Sequence, residues 1–412
     1  MKIPNYLFYL ATTLSLWGLG GLLGCSESSV PATSKVDSAV TIEKQFQQQL
    51  DDLYRAAQST DENFPGATAA FILPDGRIFS FATGFSDVSR NIPMGKNMRM
   101  PSGSIGKTYA AAVALQLAQN GALDLDTKIS TWLGEEAWFS RVPNNDELTV
   151  RILLTHTGGL LDHAFASREF VEWVQTSWTS GNRDAYLRPR QLVEFVLDRE
   201  PLFAVGEGFN YTDTGYILVG IALEEATGRS YYDLLRELFL QPLDFAFTLP
   251  ADQRALPDLA QGYAHESSKF FGTPLEIVED GIMVMNPLTE WTGGGLINNP
   301  QDLVRWAKLL YEGEAISGEG ELDQLLQIGF MPEPDKPTDG YGLGVSIRQT
   351  EHGISYGHGG FYPGYNSRMV YFPDHGVAVA MQINSDKSNV AEHTMTLAGT
   401  VLQGLLATRQ SG

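Results

Sequence analysis

Strand-like segments lie at both ends of this chain with a long helical stretch between them, and no other feature limits the possible folds so strongly. Residues 68–73 (TAAFIL), a Pro74-Asp75-Gly76-Arg77 turn and residues 78–84 (IFSFATG) read as a hairpin, apolar runs separated by residues that favour a tight reversal. Toward the C-terminus, 341–348 (YGLGVSIR), 354–358, 366–372 (NSRMVYF) and 377–383 (VAVAMQI) carry a similar signature, punctuated by turns such as Asp374-His375-Gly376. Between about 104 and 310 the pattern is mostly helical, including 108–119, 190–197 and 214–239. A helical face also starts at Thr41, with Ile42, Phe46, Leu50, Leu53 and Ala57 spaced by three and four, and a last helix is expected at about 388–407. Strands so far apart share one sheet only if the middle is carried as an inserted lobe. The expected fold is α/β (α+β): an antiparallel sheet built from both chain ends and flanked by helices, with an inserted mostly helical lobe, so that 41–412 is one folding unit.

Hydrophobic residues make up 43% of the 412, enough for a sizeable core, and 19% charged is too few for a disordered chain. With 28 Lys and Arg against 49 Asp and Glu the net charge is -21, which repels phosphate backbones and excludes nucleic acid as a partner. The single cysteine excludes an internal disulfide framework and any Cys-rich metal site. His163, His265, His352, His375 and His393 show no metal-ligand spacing and read as ordinary surface or loop residues; no metal and no cofactor is expected.

That cysteine, Cys25, follows an apolar run from Tyr6 to Leu23 in which Lys2 is the only preceding charge. Residues 1–24 read as a signal peptide, and Leu22-Leu23-Gly24-Cys25 resembles the lipobox of bacterial lipoproteins, which implies lipidation at Cys25. A plain N-terminal membrane anchor with an incidental cysteine is the other reading. Residues 25–40 are small and polar and are expected to form a flexible tether. No other apolar run reaches the roughly 20 residues of a membrane span. The folded domain is therefore expected outside the cytoplasm, in the cell envelope, tied to a membrane surface.

Ser104-Ile105-Gly106-Lys107 opens a helix rich in alanine, valine and leucine. A serine in a first helical turn sits near the positive end of the helix dipole, which favours negative charge developing on its oxygen. A lysine three residues on shares its face, and burial would depress its pKa until it could accept the serine's proton. On the tetrapeptide alone, an N-capping serine and a solvated lysine are the commoner use of such residues. Gly106-Lys107-Thr108 also looks like the tail of a phosphate-binding loop, but the first glycine of that motif would stand at Pro101, which has no N–H to offer a phosphate.

Tyr211-Thr212-Asp213 and His358-Gly359-Gly360 follow Ser104 and Lys107 in that order. With them the chain resembles the serine penicillin-recognising family, which includes class C β-lactamases, D-alanyl-D-alanine carboxypeptidases, D-aminopeptidases and related esterases. Ser104 to Lys107 matches its first motif, Tyr211-x-Asp213 its Tyr-x-Asn motif and His358-Gly359-Gly360 its Lys/His-x-Gly motif. Leu153 to Leu160 (LLTHTGGL), Gly293-Gly294-Gly295-Leu296 and Tyr341-Gly342-Leu343-Gly344 match supporting segments, so the resemblance runs from about 43 to 405. It implies a β-lactamase/transpeptidase-like fold and acyl transfer through an ester on Ser104, with Lys107 and Tyr211 managing the proton. It also implies that Asp213, His358, Gly359, Gly360 and Phe361 bind substrate, the backbone N–H groups of Ser104 and Phe361 holding the oxyanion. The tyrosine's pKa is expected to be lowered by the lysine ammonium.

Asp213 stands where the family has asparagine; ionised, it only accepts hydrogen bonds, and it could pair with Lys107. His358 in place of lysine points toward the carboxypeptidase and D-aminopeptidase branch. Arg368 and Arg348 are candidates for a substrate carboxylate, and Phe361, Tyr362 and Trp291 for an apolar rim, with core packing as the commoner use of such aromatics. His156, in a second His-x-Gly, is expected to be structural with its ring satisfied by nearby backbone, and Tyr231-Tyr232-Asp233 to be a packing and surface face. The substrate implied is a small peptide, with an ester or β-lactam as the alternative; a sensor acylated without turnover is a third reading.

Overall fold

The computed structural model describes residues 33–265, 273–330 and 339–410. Residues 1–24, Cys25 and the first part of the expected tether lie outside the described residues. Eight strands form one antiparallel sheet: β1 (Gly66–Ile72), β2 (Ile78–Asp87), β3 (Ile92–Pro93), β4 (Gly340–Tyr341), β5 (Ser346–Thr350), β6 (Gly353–Tyr362), β7 (Tyr365–Phe372) and β8 (Val377–Ile383). Their spatial order is β3-β2-β1-β8-β7-β6-β5-β4, so the two ends of the chain meet where β1 pairs with β8, Ala67 opposite Ile383 and Ile72 opposite Ala378. The sheet built from both chain ends is thus present as expected.

Both central strands are buried on both faces, which is why they read as continuous apolar runs rather than alternating ones. Ala67, Ala69 and Phe71 of β1 point to one face, where α1 (Thr33–Ala57) and the C-terminal α6 (Val390–Gln410) pack together; Phe46, Leu50, Val401 and Leu402 complete that core. Ala70 and Ile72 point to the other face and join a larger core under the inserted lobe, which includes α2 (Gly106–Gln119), α3 (Arg168–Thr179), α4 (Asp213–Thr227) and α5 (Pro300–Tyr311). The period-two split of β1 between two cores fixes its register. Among the described residues no helix is long and apolar enough to cross a membrane.

Four expected boundaries move. Helix α1 starts at Thr33, so residues 33–40 are helical rather than tether; buried Ala39 extends the face of Ile42 and Phe46 backwards. The stretch read as one helix over 214–239 breaks at Gly228, which takes φ +67°, and Ser230 caps a new short helix at Tyr231–Leu235. The strand expected at 341–348 is two, β4 and β5, because Gly342 N–H turns back to the Val345 carbonyl and Gly344 takes φ +70°. Conversely β6 continues four residues past its expected end at His358, so the third motif and Phe361 lie on a strand.

Candidate active site

Ser104 lies in a short 3₁₀ turn, Gly103–Ile105, that leads into α2 at Gly106, rather than in the first turn of the α-helix itself. This turn faces the edge of β6. β5 pairs with β6 only as far as Gly357, opposite Ser346, so from His358 onward the β5-side edge of β6 turns to the serine turn instead. The approach is too close for side chains. A Cβ on Gly360 would stand 1.8 Å from the Ser102 carbonyl oxygen, and one on Gly103, which has φ +51°, would stand 2.4 Å from that of Phe361. The Phe361 amide is thereby held against the residue next to Ser104.

Ser104, Tyr211, Asp213, His358, Gly359, Gly360 and Phe361 line one cavity of about 580 Å³. Much of its remaining lining is apolar, including Phe170, Trp173 and Val174 of α3 with Met285 and Pro287. Lys107 sits beneath it, fully buried, and its ammonium has three acceptors for its three protons: Ser104 Oγ at 3.1 Å, the Gly293 carbonyl at 2.5 Å and Asp213 Oδ1. Burial alone would depress this lysine, but Asp213, together with Tyr211, reverses the shift and raises it above its ordinary value. The expected depressed lysine is therefore corrected: in this resting arrangement Lys107 is a saturated ammonium, and Asp213 is the reason.

The expectation for Tyr211 is corrected in the same way. Its ring lies 5.0 Å from Lys107 Nζ, and its hydroxyl is sealed from solvent with Ser104 and Lys107 as polar neighbours but no well-formed hydrogen bond, and burial raises its pKa against the pull of the ammonium. Helix α4 positions both residues of the motif. Thr212 caps it by accepting from Thr214 N–H, and Asp213 N–H donates to Asp162 Oδ2 at 2.5 Å.

His358 accepts from Tyr341 through Nε2 at 2.8 Å, and Nδ1 lies 2.5 Å from the Gly359 carbonyl. A carbonyl can only accept, so Nδ1 carries the proton. Burial pushes this histidine down to about 3, so it is neutral at physiological pH and adds no positive charge to the site. His156 has one nitrogen satisfied by backbone, Nδ1 accepting from Thr212 N–H at 3.2 Å, while Nε2 has no partner; its ring packs 4.3 Å from that of Tyr211.

Three further expectations change. His163 is not a surface residue: it is buried in the cavity wall, its Nδ1 3.1 Å from Thr214 Oγ1 and its ring edge-on to Phe170. Of the two uses open to the aromatics, Trp291 takes the core one, packed against Tyr231. Of the two arginines, Arg368 lines the cavity while Arg348 does not and lies 3.9 Å from Asp339. Tyr231 is buried and Asp233 exposed, the packing and surface face expected of that segment. Among the described residues no group of three His, Cys, Asp or Glu could hold a metal ion.

Glu290 also lines the cavity, and its position was not singled out from sequence. Burial, with Asp213 adding repulsion, pushes its carboxyl up to about 8. The available signal was weak: an acidic residue inside an otherwise apolar, glycine-rich segment, NPLTEWTGGGLI.

A short serine turn between a two-ended antiparallel sheet and a helical lobe, with a lysine beneath the serine, defines a class of protein, and comparison agrees with it. A sequence model of the β-lactamase family matches residues 42–401, and the chain belongs to that family. It is accordingly a hydrolase of the β-lactamase fold. Penicillin-binding protein 4* of Bacillus subtilis (strain 168) is 25% identical over 333 residues, 78% of this chain and 68% of the relative. A D-aminopeptidase of Brucella anthropi is 24% identical over 81% of this chain, which spans 59% of that relative's length. Among solved structures, a D-stereospecific amidohydrolase from Streptomyces sp. superposes with a TM-score of 0.73 at 27% identity, covering 86% of this chain and 97% of that one. The D-amino acid amidase of Ochrobactrum anthropi SV3 complexed with L-phenylalanine amide has the same fold, with a TM-score of 0.71 at 23% identity over 90% of this chain and 99% of that one.

Proposed function

We propose that this protein is a serine hydrolase working through an acyl-enzyme on Ser104, and that it cleaves D-amino-acid peptides or amides, as a D-alanyl-D-alanine carboxypeptidase or a D-stereospecific peptidase. The observation that carries this is the placement of Ser104 Oγ at the cavity, 3.1 Å from Lys107 Nζ and beside the edge of β6. The Streptomyces amidohydrolase and the Brucella D-aminopeptidase support the substrate class.

In the acylation step Ser104 Oγ bonds to the substrate carbonyl carbon and the carbon–nitrogen bond breaks. As that bond breaks, the Lys107–Tyr211 pair gives one of its own protons to the departing amine and takes the serine proton in exchange, and water then releases the acyl group by the reverse path. Both groups are held above neutral pH and interact strongly, so the proton belongs to the pair rather than to either residue. The backbone N–H groups of Ser104 and Phe361 hold the oxyanion, and substrate backbone runs along β6 past Gly359 and Gly360. Neutral His358, fixed by Tyr341, shapes that edge.

Acylation by a fluorescent penicillin and turnover of a p-nitrophenyl ester test this reading. Tyr211→Phe should lower the acylation rate by roughly 100-fold, and Tyr231→Phe, in the core, by no more than about twofold; equal losses would assign the wrong tyrosine. A second reading, an acylated sensor, is favoured by the saturated Lys107 ammonium, and a stable adduct without release would select it. We further propose a lipid anchor at Cys25 that places the domain in the cell envelope, beside peptidoglycan stem peptides. Mass spectrometry of the mature N-terminus should find a diacylglyceryl cysteine, and an unmodified Cys25 would reject the anchor.

A further inference from the structure

Tyr211 has to hold its hydroxyl beside Ser104 and Lys107, yet that hydroxyl makes no well-formed hydrogen bond among the described residues. Its place is therefore set from the ring and the backbone, and His156 bears on both. The His156 carbonyl accepts from Asn210 N–H at 3.0 Å, and its ring Nδ1 accepts from Thr212 N–H at 3.2 Å, so one residue holds the chain immediately before and immediately after Tyr211. The rings of His156 and Tyr211 lie 4.3 Å apart, closer than those of His358 and Tyr341, each 6.1 Å from Tyr211.

This residue is unfavourable in two respects. It follows the short helix Val150–Leu154 and its cap Thr155 with φ +60°, a left-handed conformation that glycine or asparagine adopts far more readily. Its Nε2 carries the proton, because Nδ1 is an acceptor, and makes no hydrogen bond among the described residues. Burial, with repulsion from the Lys107 ammonium, holds its pKa well below the ordinary value, so the ring stays neutral and the Nδ1 lone pair stays available to Thr212. Strained backbone and orphaned buried donors gather at functional sites. A glycine at 156 would meet the backbone requirement without either penalty, but it would offer Thr212 N–H no acceptor.

We infer that His156 is a positioning residue for Tyr211: its Nδ1 bond to Thr212 N–H fixes the entry to α4, and with it the tyrosine ring at the distance from Ser104 and Lys107 that proton transfer needs. This rests on the reading of Tyr211 as half of the proton-carrying pair and adds a residue to it. The Asn210 amide and the Thr212 hydroxyl also tie this stretch to the carbonyls of Leu160 and Leu161. Loss of the Nδ1 bond therefore shifts Tyr211 without releasing the segment.

Steady-state turnover of a p-nitrophenyl ester, with thermal melts alongside, tests the inference. His156→Phe keeps a ring and removes the acceptor. It should lower kcat by about 30-fold, since misplacing a reacting group by about 1 Å can cost about 10²-fold. KM should stay within about threefold, because His156 does not line the cavity. His156→Asn keeps an acceptor on the γ-carbon and tolerates positive φ, and should recover kcat to within about fivefold of the unsubstituted protein. Added to Tyr211→Phe, His156→Phe should slow turnover by no more than about twofold further, because nothing is left to position; a merely structural role would exert its full effect again. If His156→Phe does not fold, His156→Gly, which relieves the positive φ, replaces it in the same cycle. Undiminished activity, a KM that rises as kcat falls, no recovery with asparagine, or losses that multiply in the double variant would each overturn the inference. Tyr211→Phe without loss of turnover would instead overturn the reading of Tyr211, and the role of His156 with it.

Discussion

Ser104→Ala is expected to lower turnover of amide and ester substrates by roughly 10⁴-fold or more, with the fold retained. The size follows from covalent catalysis: without Oγ there is no acyl-enzyme, and only binding and the oxyanion donors remain to accelerate attack by water. The fold survives because Ser104 is half-buried at the cavity and its Oγ is one of three acceptors of the Lys107 ammonium, two of which stay. The lost hydrogen bond is worth about 1 kcal/mol. Steady-state rates beside a thermal melt decide it. Turnover within tenfold of the unsubstituted protein would remove Ser104 from the chemistry; collapse of the melt would mean that the hydroxyl is structural.

The sheet was legible because its central strands are short apolar runs bounded by turn residues, and because their placement at both ends left one sensible topology. What moved were boundaries governed by single residues in special conformations, Gly228 and Gly344, whose positive φ no periodicity reports. The candidate site divides along a similar line. Motif order brought Ser104, Lys107, Tyr211, Asp213, His358 and Phe361 to one cavity or its floor, because chain order and strand edge are properties a sequence pattern can carry. Their charge states were not legible. A buried lysine and a buried tyrosine were expected to be depressed, yet both are raised, and the sign turns on burial and on where the Asp213 carboxylate lies in space. Glu290, His163 and Asp162 escaped for the same reason. Each is an ordinary polar residue until the fold buries it.

Lys107→Met should cost activity about 10³-fold, since it removes the only cation bonded to Ser104 among the described residues and half of the proton-carrying pair. It should also cost stability, because Asp213 is left without its counter-ion. Breaking a buried pair typically costs about 3–5 kcal/mol. Here about 2 kcal/mol is expected, because the Asp213 side chain is 22% exposed and sits in the first turn of α4, where the helix dipole favours an anion. Asp213→Asn separates the two roles. Lys107 in the unsubstituted protein has a raised pKa, so the stability it contributes is fully present below its unfolded value of about 10.4 and is lost only above it. Melts from pH 6 to 10 should therefore show no loss traceable to this lysine. With asparagine at 213, burial is the dominant influence left and Lys107 is pushed down. Stability should then be lower at pH 7 and rise with pH toward 10, the opposite slope. Acylation at pH 7 should become faster by roughly tenfold for each pKa unit the pair falls, because more of it is in the form that can accept the serine proton. A variant that acylates more slowly at every pH, with an unchanged slope in its melts, would show that Asp213 serves substrate binding rather than the charge state of Lys107.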